Sequence, residues 1–276
     1  MRSRRLLGVV GAMALSATVV LSALPAGASS GRNSVREHHR SERSEGWRGG
    51  DSGRDRHRSS NDEGRCRVAS AGLSVVHGVP DLAVDIYVVK NFREVKKLTN
   101  VNFGTAADLG AAFPGFVTEG LYFVDIVPTG ASPWKPLLTA TTVLGAGENK
   151  SVVAYVTANA AGVAGGPTLG VFDNDVSSTN GQSRVTVRHL AVAPTVGVYA
   201  NGAVAISQAF SNGDTATAVV PAGTYGVTVT APNTPSTVLA NIGDVALAAN
   251  TNTLAFAIGT YGSTFQVASV QVPTAT

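Results

Sequence analysis

The sequence has a single cysteine, Cys66, among 276 residues. An internal disulfide is therefore excluded, and stability must come from packing and from hydrogen-bonded backbone. In an exported chain this thiol could form an intermolecular disulfide. An idle or reducible thiol in a flexible stretch is the alternative, and we favour it.

Charge and long apolar runs are also scarce. Charged residues make up 14% of the chain, and no apolar run of membrane-spanning length follows the first 24 residues. Residues 68–276 hold eight Lys or Arg and eleven acidic residues. A folded part with this net negative charge lacks the basic surface that nucleic-acid binding needs, so no nucleic-acid partner is predicted.

The common motifs of catalysis and metal binding are missing from the sequence. It contains no CxxC, no HExxH, no nucleophile elbow and no glycine-rich phosphate loop at a strand–helix junction. We therefore predict that the chain is not an enzyme, with no catalytic residue, no metal ligand and no cofactor.

The N terminus has the pattern of a secretory signal peptide. Three arginines lie within the first five residues, residues 6–24 are apolar, and Ala26-Gly27-Ala28 offers a cleavage site. An uncleaved anchor is the alternative, which the cleavage motif disfavours. We predict that residues 1–28 are removed and that the protein is secreted or displayed at the cell surface, with no membrane span after cleavage.

Residues 29–67 form a segment of different composition, rich in Arg, Ser, Gly and His. It holds ten Arg and seven acidic residues and almost nothing apolar. Such a stretch cannot bury enough surface to offset its ordering entropy, so it is predicted to be disordered. It could attach to an anionic polymer or capture a metal weakly through His38, His39 and His57, but a solvated spacer is the favoured interpretation.

From Val68 onward, short runs of Val, Thr, Ala, Ile and Tyr alternate with turn residues, which predicts strands. The clearest strand covers residues 224–230, where Tyr225, Val227 and Val229 point to one side and Thr228 and Thr230 to the other. No long stretch shows sustained helical periodicity.

One strand-rich unit occurs twice. Residues 73–77 end in His77 and are followed by Tyr87, and residues 185–189 end in His189 and are followed by Tyr199. The His-to-Tyr spacing is ten residues in both copies, and the first copy carries about nine extra residues around 106–118. The predicted fold is therefore all-β, with two tandem β-sandwich domains, immunoglobulin-like or transthyretin-like. The predicted boundaries are 68–160 for the first repeat, 161–183 for a linker and junction, and 184–276 for the second repeat.

The repeated motifs resemble a known family. The stretch from Val76-His77-Gly78-Val79-Pro80-Asp81 to Ile86-Tyr87, the later Asn100-Val101-Asn102-Phe103-Gly104-Thr105 and Pro221-Ala222-Gly223-Thr224-Tyr225, and the junction from Phe172 to His189 are similar to the domain-of-unknown-function family DUF4397. The resemblance covers roughly residues 70–270 in two copies. It implies an exported bacterial β-sandwich protein and no defined activity. The second copy departs from the pattern, since Ala193 and Gly197 replace Asp81 and Asp85.

The two histidines are candidates for chemistry or for structure. We expect Arg188 and Thr186 to face water, which turns Val187 and His189 inward, and the alignment turns His77 inward too. Each imidazole then lies at the end of a core-facing row, where it can hydrogen-bond loop carbonyls. We interpret His77, Tyr87, His189 and Tyr199 as a structural repeat motif rather than a catalytic set.

Asp81, Asp85 and Trp134 are the candidate binding residues. The two carboxylates could bind a cation or act as an acid–base pair, but their absence from the second copy favours turn structure or drift. Trp134, flanked by Pro133, Lys135 and Pro136, could stack on a sugar or insert into a partner, or it could cap the sandwich.

The junction also carries Asp173-Asn174-Asp175, with Ser177, Thr179 and Gly181 following. These residues faintly resemble a calcium loop but lack its central Gly and terminal Glu, so a hinge between the sandwiches is favoured over calcium.

Together these features predict a secreted or envelope-associated, non-catalytic module with a binding or structural role. Its partner would be an extracellular protein or a cell-wall glycan. The competing hypothesis is a secreted hydrolase or carbohydrate-active enzyme that uses Asp81, Asp85 and His77.

Overall fold

The computed structural model describes residues 19–22, 71–202 and 204–275. Cys66, the segment 29–67 and most of the expected signal peptide lie outside the described residues, so the predictions made for them stay predictions.

The described residues form seventeen strands and one short helix. Up to residue 174 these are, in chain order, β1 (Val19–Ser22), β2 (Gly72–His77), β3 (Val84–Lys90), β4 (Glu94–Val101), β5 (Ala106–Asp108), α1 (Leu109–Ala112), β6 (Gly120–Pro128), β7 (Leu138–Leu144), β8 (Asn149–Ala158) and β9 (Ala164–Asn174). The second half contains β10 (Ser183–His189), β11 (Val196–Ala200), β12 (Val204–Phe210), β13 (Thr215–Val220), β14 (Gly223–Ala231), β15 (Thr234–Leu247), β16 (Thr251–Ile258) and β17 (Gln266–Pro273). The predicted strand 224–230 lies within β14, and the prediction of an all-β chain is confirmed.

The strands build two halves with the same topology. In the first half the sheet β5-β2-β8-β9 faces the sheet β4-β3-β6-β7, and in the second half β17-β16-β10-β13 faces β12-β11-β14-β15. The central pairs β2–β8 and β10–β16 are both parallel, with His77 opposite Ala154 and His189 opposite Ala257. β1 adds a fifth strand, parallel to β17. Each half is therefore a sandwich of two sheets.

The first sandwich has the larger core. Seventeen of the described hydrophobic residues form one buried cluster there, including Leu73, Ile86 and Ile126. The extra length predicted at 106–118 is present, since eleven residues separate β5 from β6 whereas two separate β13 from β14. Phe116 and Leu109 from this insertion are buried in the first core. The insertion therefore fills the interior of the first sandwich.

The two sandwiches pack against each other through the sheet β5-β2-β8-β9 of the first and the sheet β17-β16-β10-β13 of the second. Val76 and Val153 on the outer face of the first sandwich form one buried cluster with Leu254, Phe256 and Val270 of the second. A Cβ added to Gly78 would lie 2.7 Å from Cγ2 of Ile258, so this contact requires the absence of a side chain. The described residues 71–275 thus form four stacked sheets rather than two separate units.

A buried arginine lies in this contact. The guanidinium of Arg188 is fully buried and donates from Nη2 to the Asp173 carbonyl and to Asn174 Oδ1, both at 2.8 Å. Its Cζ lies 5.0 Å from the ring centre of Phe172 and 5.4 Å from that of Phe256. Burial lowers the pKa of Arg188 to about 10, so it stays charged at neutral pH.

Two expectations differ from the structure. Thr186 and Arg188 do not face water: both are buried, because the first sandwich covers the face of β10 that sequence alternation assigns to solvent. Residues 164–174, expected to belong to a linker, form strand β9 at the edge of the first sandwich, antiparallel to β8. Pro167 and two glycines suggested a loop, but an edge strand tolerates such residues because one of its sides needs no hydrogen bonds.

Candidate functional site

His77 lies at the end of β2, where the chain turns toward β3. The side chain is 1% exposed, and its Nε2 lies 2.7 Å from the carbonyl oxygen of Leu82. Burial lowers the pKa of His77, and the hydrogen bond to Leu82 opposes this shift only in part. The imidazole therefore fixes the loop that crosses above it and has little access to solvent.

His189 has the same relation to its own loop. Its Nε2 lies 3.4 Å from the carbonyl oxygen of Pro194, five residues later, as Leu82 is five residues after His77. The ring packs against Phe210, with centroids 5.7 Å apart. Burial lowers the pKa of His189, while the Pro194 hydrogen bond and the charge of Asp214 act in the opposite direction.

Asp85, one of the predicted binding residues, is held on two sides. Its Oδ2 lies 2.8 Å from Nζ of Lys97, and its Oδ1 accepts from the backbone N–H of Asn100 at 2.9 Å. The hydrogen bond from Lys97, followed by that from Asn100, lowers the pKa of Asp85 against the effect of burial. Nζ of Lys97 also lies 4.9 Å from the ring centre of Tyr87. A carboxylate in this setting stays ionised and is a poor proton donor.

Asp81 is exposed in the turn between β2 and β3 and has a φ of 59°, a conformation that Asp and Asn adopt more readily than most residues. Among the described residues, no hydrogen bond or ion pair joins Asp81 to Asp85 or His77. The fold therefore places these three groups near one end of β2 and β3 without connecting them in a reactive set.

The loss of Asp85 in the second copy has a steric reason. Gly197 occupies the equivalent position on β11, and a Cβ there would lie 2.6 Å from Oγ1 of Thr230 and 2.9 Å from Cε2 of Tyr199. Tyr199 itself is buried. The second sandwich therefore has no room for a carboxylate at this position.

Trp134 lies in the loop that joins β6 to β7, and 89% of its surface is exposed. The loop is fixed at both ends, because Thr129 N–H donates to the Ala83 carbonyl at 3.0 Å and Leu137 N–H donates to the Ile126 carbonyl at 2.8 Å. A further backbone hydrogen bond joins Lys135 N–H to the Ser132 carbonyl. An apolar ring is thus presented to solvent on an ordered loop, with its faces available for stacking.

The acidic junction is occupied by the protein's own side chains. Lys150 pairs with Asp173, and Nη2 of Arg184 lies 3.1 Å from Oδ2 of Asp175. The pKa of Asp175 is lowered, chiefly by hydrogen bonds from Ser177. Within the described ranges, no group of three or more His, Cys, Asp or Glu side chains is arranged to hold a metal ion. Asp173 and Asp175 are therefore both paired with basic side chains of the chain itself, and the choice between a hinge and a calcium loop stays a prediction.

Lys97, Asn100 and Arg188 were not identified from the sequence. Asp85 and Lys97 are brought together by the pairing of β3 with β4, whose register shifts between Val84 and Ile86. No pattern in the sequence marks this bulge, so the contact between Asp85 and Lys97 could not be predicted. Arg188 could have been identified only by knowing that a second sandwich covers its face of β10.

Comparisons with known proteins give one family match. Residues 71–199 match DUF4397, a domain of unknown function, over the first sandwich and the first two strands of the second. No curated protein matches the chain significantly. No helix in the described part of the chain is long and apolar enough to cross a membrane.

Two solved structures show weak similarity. One is described as a "putative cell adhesion protein" from Bacteroides ovatus, at 9% identity and a TM-score of 0.23, covering 75% of this chain and 99% of that one. The other is the Bacillus anthracis TIE protein, at 14% identity and a TM-score of 0.20, covering 73% of this chain and 34% of that one. These values are too low to carry an argument about function.

Proposed function

We propose that the chain is a non-catalytic β-sandwich module, secreted or associated with the cell envelope, that binds a cell-wall glycan or an extracellular protein through the loop carrying Trp134. The observation that carries this proposal is the 89% exposure of an indole on a loop whose two ends are fixed by backbone hydrogen bonds. Binding would remove this large apolar ring from water, which is favourable in free energy. A loop that is already ordered also loses little entropy when it binds.

The non-catalytic part of the proposal is supported by the state of the reactive groups. Asp85 is bound by Lys97 and Asn100, and His77 faces the Leu82 carbonyl. A hydrolase that used Asp81, Asp85 and His77 would need an accessible base and a proton donor within reach of one substrate bond. The hydrogen bonds of Asp85 and the burial of His77 work against both roles.

The binding role is tested by sedimentation of the purified protein with insoluble cell-wall preparations. Trp134→Ala is expected to weaken the apparent affinity at least tenfold, in keeping with the cost of removing an aromatic anchor of about 2 kcal/mol. Phe92→Ala is the matched control, since Phe92 is a second exposed aromatic, at 74%, on a different turn. Protease treatment of the preparation distinguishes a protein partner from a glycan. Unchanged binding by Trp134→Ala would refute the binding role of the loop.

The enzyme hypothesis is tested with a panel of glycan, peptide and ester substrates. No turnover is expected from the wild-type protein. Turnover that disappears in Asp81→Asn, with an unchanged melting temperature, would show that the chain is an enzyme. Asn is chosen because it tolerates the positive φ of this position.

A further inference from the structure

The second sandwich contains an apolar cavity between its two sheets. The cavity has a volume of about 90 Å³, and its walls include Val187, Ala255 and Ala257 on one sheet and Val227 and Val229 on the other. None of the described residues that line it is charged. An interior of this composition favours an uncharged, apolar occupant, because a buried charge would have no partner.

The cavity exists because this half has smaller side chains in the same architecture. Matched by strand register, Leu73, Ile86, Ile126 and Val152 in the first sandwich correspond to Val185, Val198, Val229 and Ala255 in the second. Each replacement is smaller. The second half also lacks the insertion that places Phe116 and Leu109 in the first core. Interiors normally fill such space, so a cavity that arises from several substitutions together points to an occupant.

The shape of the cavity selects among apolar ligands. Its lining follows β10 from Val185 to His189, a length of roughly 13 Å at the usual rise per strand residue. A volume of about 90 Å³ over this length makes a narrow slot. A space that extends along the strands suits an unbranched chain better than a ring.

Two buried polar atoms of residues in the wall, Oγ1 of Thr253 and Nδ1 of His189, have no hydrogen-bond partner among the described groups. Thr253 is 2% exposed, belongs to the lining, and its Oγ1 makes no hydrogen bond to any described group. It lies opposite Val185, at one end of the slot. The unpartnered Nδ1 of His189 is less informative, because Nδ1 of His77 is equally unpartnered in the filled first sandwich. A hydroxyl at the end of the ligand would satisfy Thr253.

We propose that the second sandwich binds an unbranched alkyl chain with a neutral hydroxyl at one end, the chain lying between the sheets and the hydroxyl bonded to Thr253. This site is separate from the Trp134 loop of the first sandwich, and it goes beyond the function proposed above.

The test is a titration of the purified protein with 1-hexanol, 1-octanol and 1-decanol, followed by calorimetry and by methyl NMR of the valines that line the slot. Affinity is expected to rise about fourfold per methylene until the chain fills the slot. Decanoate is expected to bind more weakly than 1-decanol, because the slot offers its charge no partner. Absence of saturable binding by all three alcohols would overturn the proposal.

Two substitutions locate the ligand. Ala255→Leu is expected to abolish binding by filling the slot, whereas Ala246→Leu, the same change at an exposed position of β15, is expected to leave it intact. If Ala255→Leu does not fold, Ala257→Val is a smaller filling change, and it is expected to weaken binding at least fivefold. Undiminished binding by a folded filling variant would contradict the proposed site.

Two further variants separate this slot from the Trp134 loop and from a membrane-binding surface. Thr253→Val, which removes only the hydroxyl, is expected to weaken 1-decanol about fivefold and to leave decane unaffected. Trp134→Ala is expected to bind 1-decanol like the wild type, so failure of this proposal and failure of the Trp134 proposal are distinguishable. Capture of phosphatidylcholine vesicles without binding of free 1-decanol would indicate a membrane surface instead and would overturn the proposal.

Discussion

At the scale of single residues, the two copies of the repeat retain the histidine and change the carboxylate. His77 and His189 each direct Nε2 to a carbonyl five residues later. Each ring thus supplies a loop carbonyl with a hydrogen-bond partner. Asp85 has no such general role, because the equivalent position in the second sandwich is Gly197, where a Cβ would crowd the side chains of Thr230 and Tyr199. The histidine is a part of how each sandwich closes, whereas the carboxylate belongs to the first sandwich only.

Burial of the two imidazoles makes stability depend on pH. The pKa of each is lowered in the folded state, so below the unfolded value of about 6.5 the unfolded chain binds protons that the folded chain does not. The contribution of the histidines to the unfolding free energy is fully present above that pH. It falls as the pH drops toward the folded pKa, by up to about 1.4 kcal/mol per pH unit for each histidine.

Urea unfolding between about pH 5 and 8 measures this dependence. His77→Gln is expected to reduce the acid-side slope by about half, and His77→Gln with His189→Gln to remove most of it, since glutamine does not titrate. Asp85 does not interfere with this measurement. Its pKa is lowered, so its contribution to stability is lost only below about pH 4. Equal slopes in the wild type and the double variant would show that other groups are responsible.

At the scale of strands and loops, alternation of apolar and polar residues predicted strands correctly. The clear alternation in 224–230 gave β14, and the changing offset between the copies located the insertion between β5 and β6. Three features could not be predicted. β9 was missed because Gly and Pro look the same in a loop and in an edge strand, and Arg188 was misplaced because alternation does not distinguish water from a second sheet. The contacts of Asp85 depended on a register shift that has no sequence signal.

The insertion between β5 and β6 is expected to be a main support of the first core. Phe116 is 2% exposed and packs edge-on against Tyr122, whose hydroxyl donates to the carbonyls of Phe116 and Thr118. Phe116→Ala should cost about 3–5 kcal/mol of unfolding free energy, because it removes a buried ring and leaves a cavity. Phe92→Ala, at an exposed ring tilted against Phe123, should cost about 1 kcal/mol. Similar losses in the two variants would contradict a core role for the insertion.

At the scale of the whole molecule, the described halves share a buried contact and should not unfold independently. Phe256 and Val153 belong to one cluster that spans both sandwiches, and Arg188 of the second donates to Asp173 and Asn174 of the first. A two-module chain with a small polar contact would give two transitions, whereas this contact is apolar and includes a fully buried cation. We expect one cooperative transition, with equal hydrogen-exchange free energies for the most protected amides of β6 and β14.

Arg188 tests this coupling, because its removal disturbs both halves at once. Arg188→Ala is expected to cost about 3–5 kcal/mol of unfolding free energy. The change leaves a void, and it leaves the Asp173 carbonyl and the Asn174 side chain without the hydrogen bonds that Arg188 donates. Arg188→Met should come within about 1 kcal/mol of the wild type, because an apolar chain of similar volume avoids the desolvation of a charge and still packs on Phe172 and Phe256. Hydrogen exchange measured on both variants gives the free energy of each sandwich separately. If Arg188→Ala lowered protection in β14 and left β6 unchanged, the two sandwiches would be independent domains that merely touch.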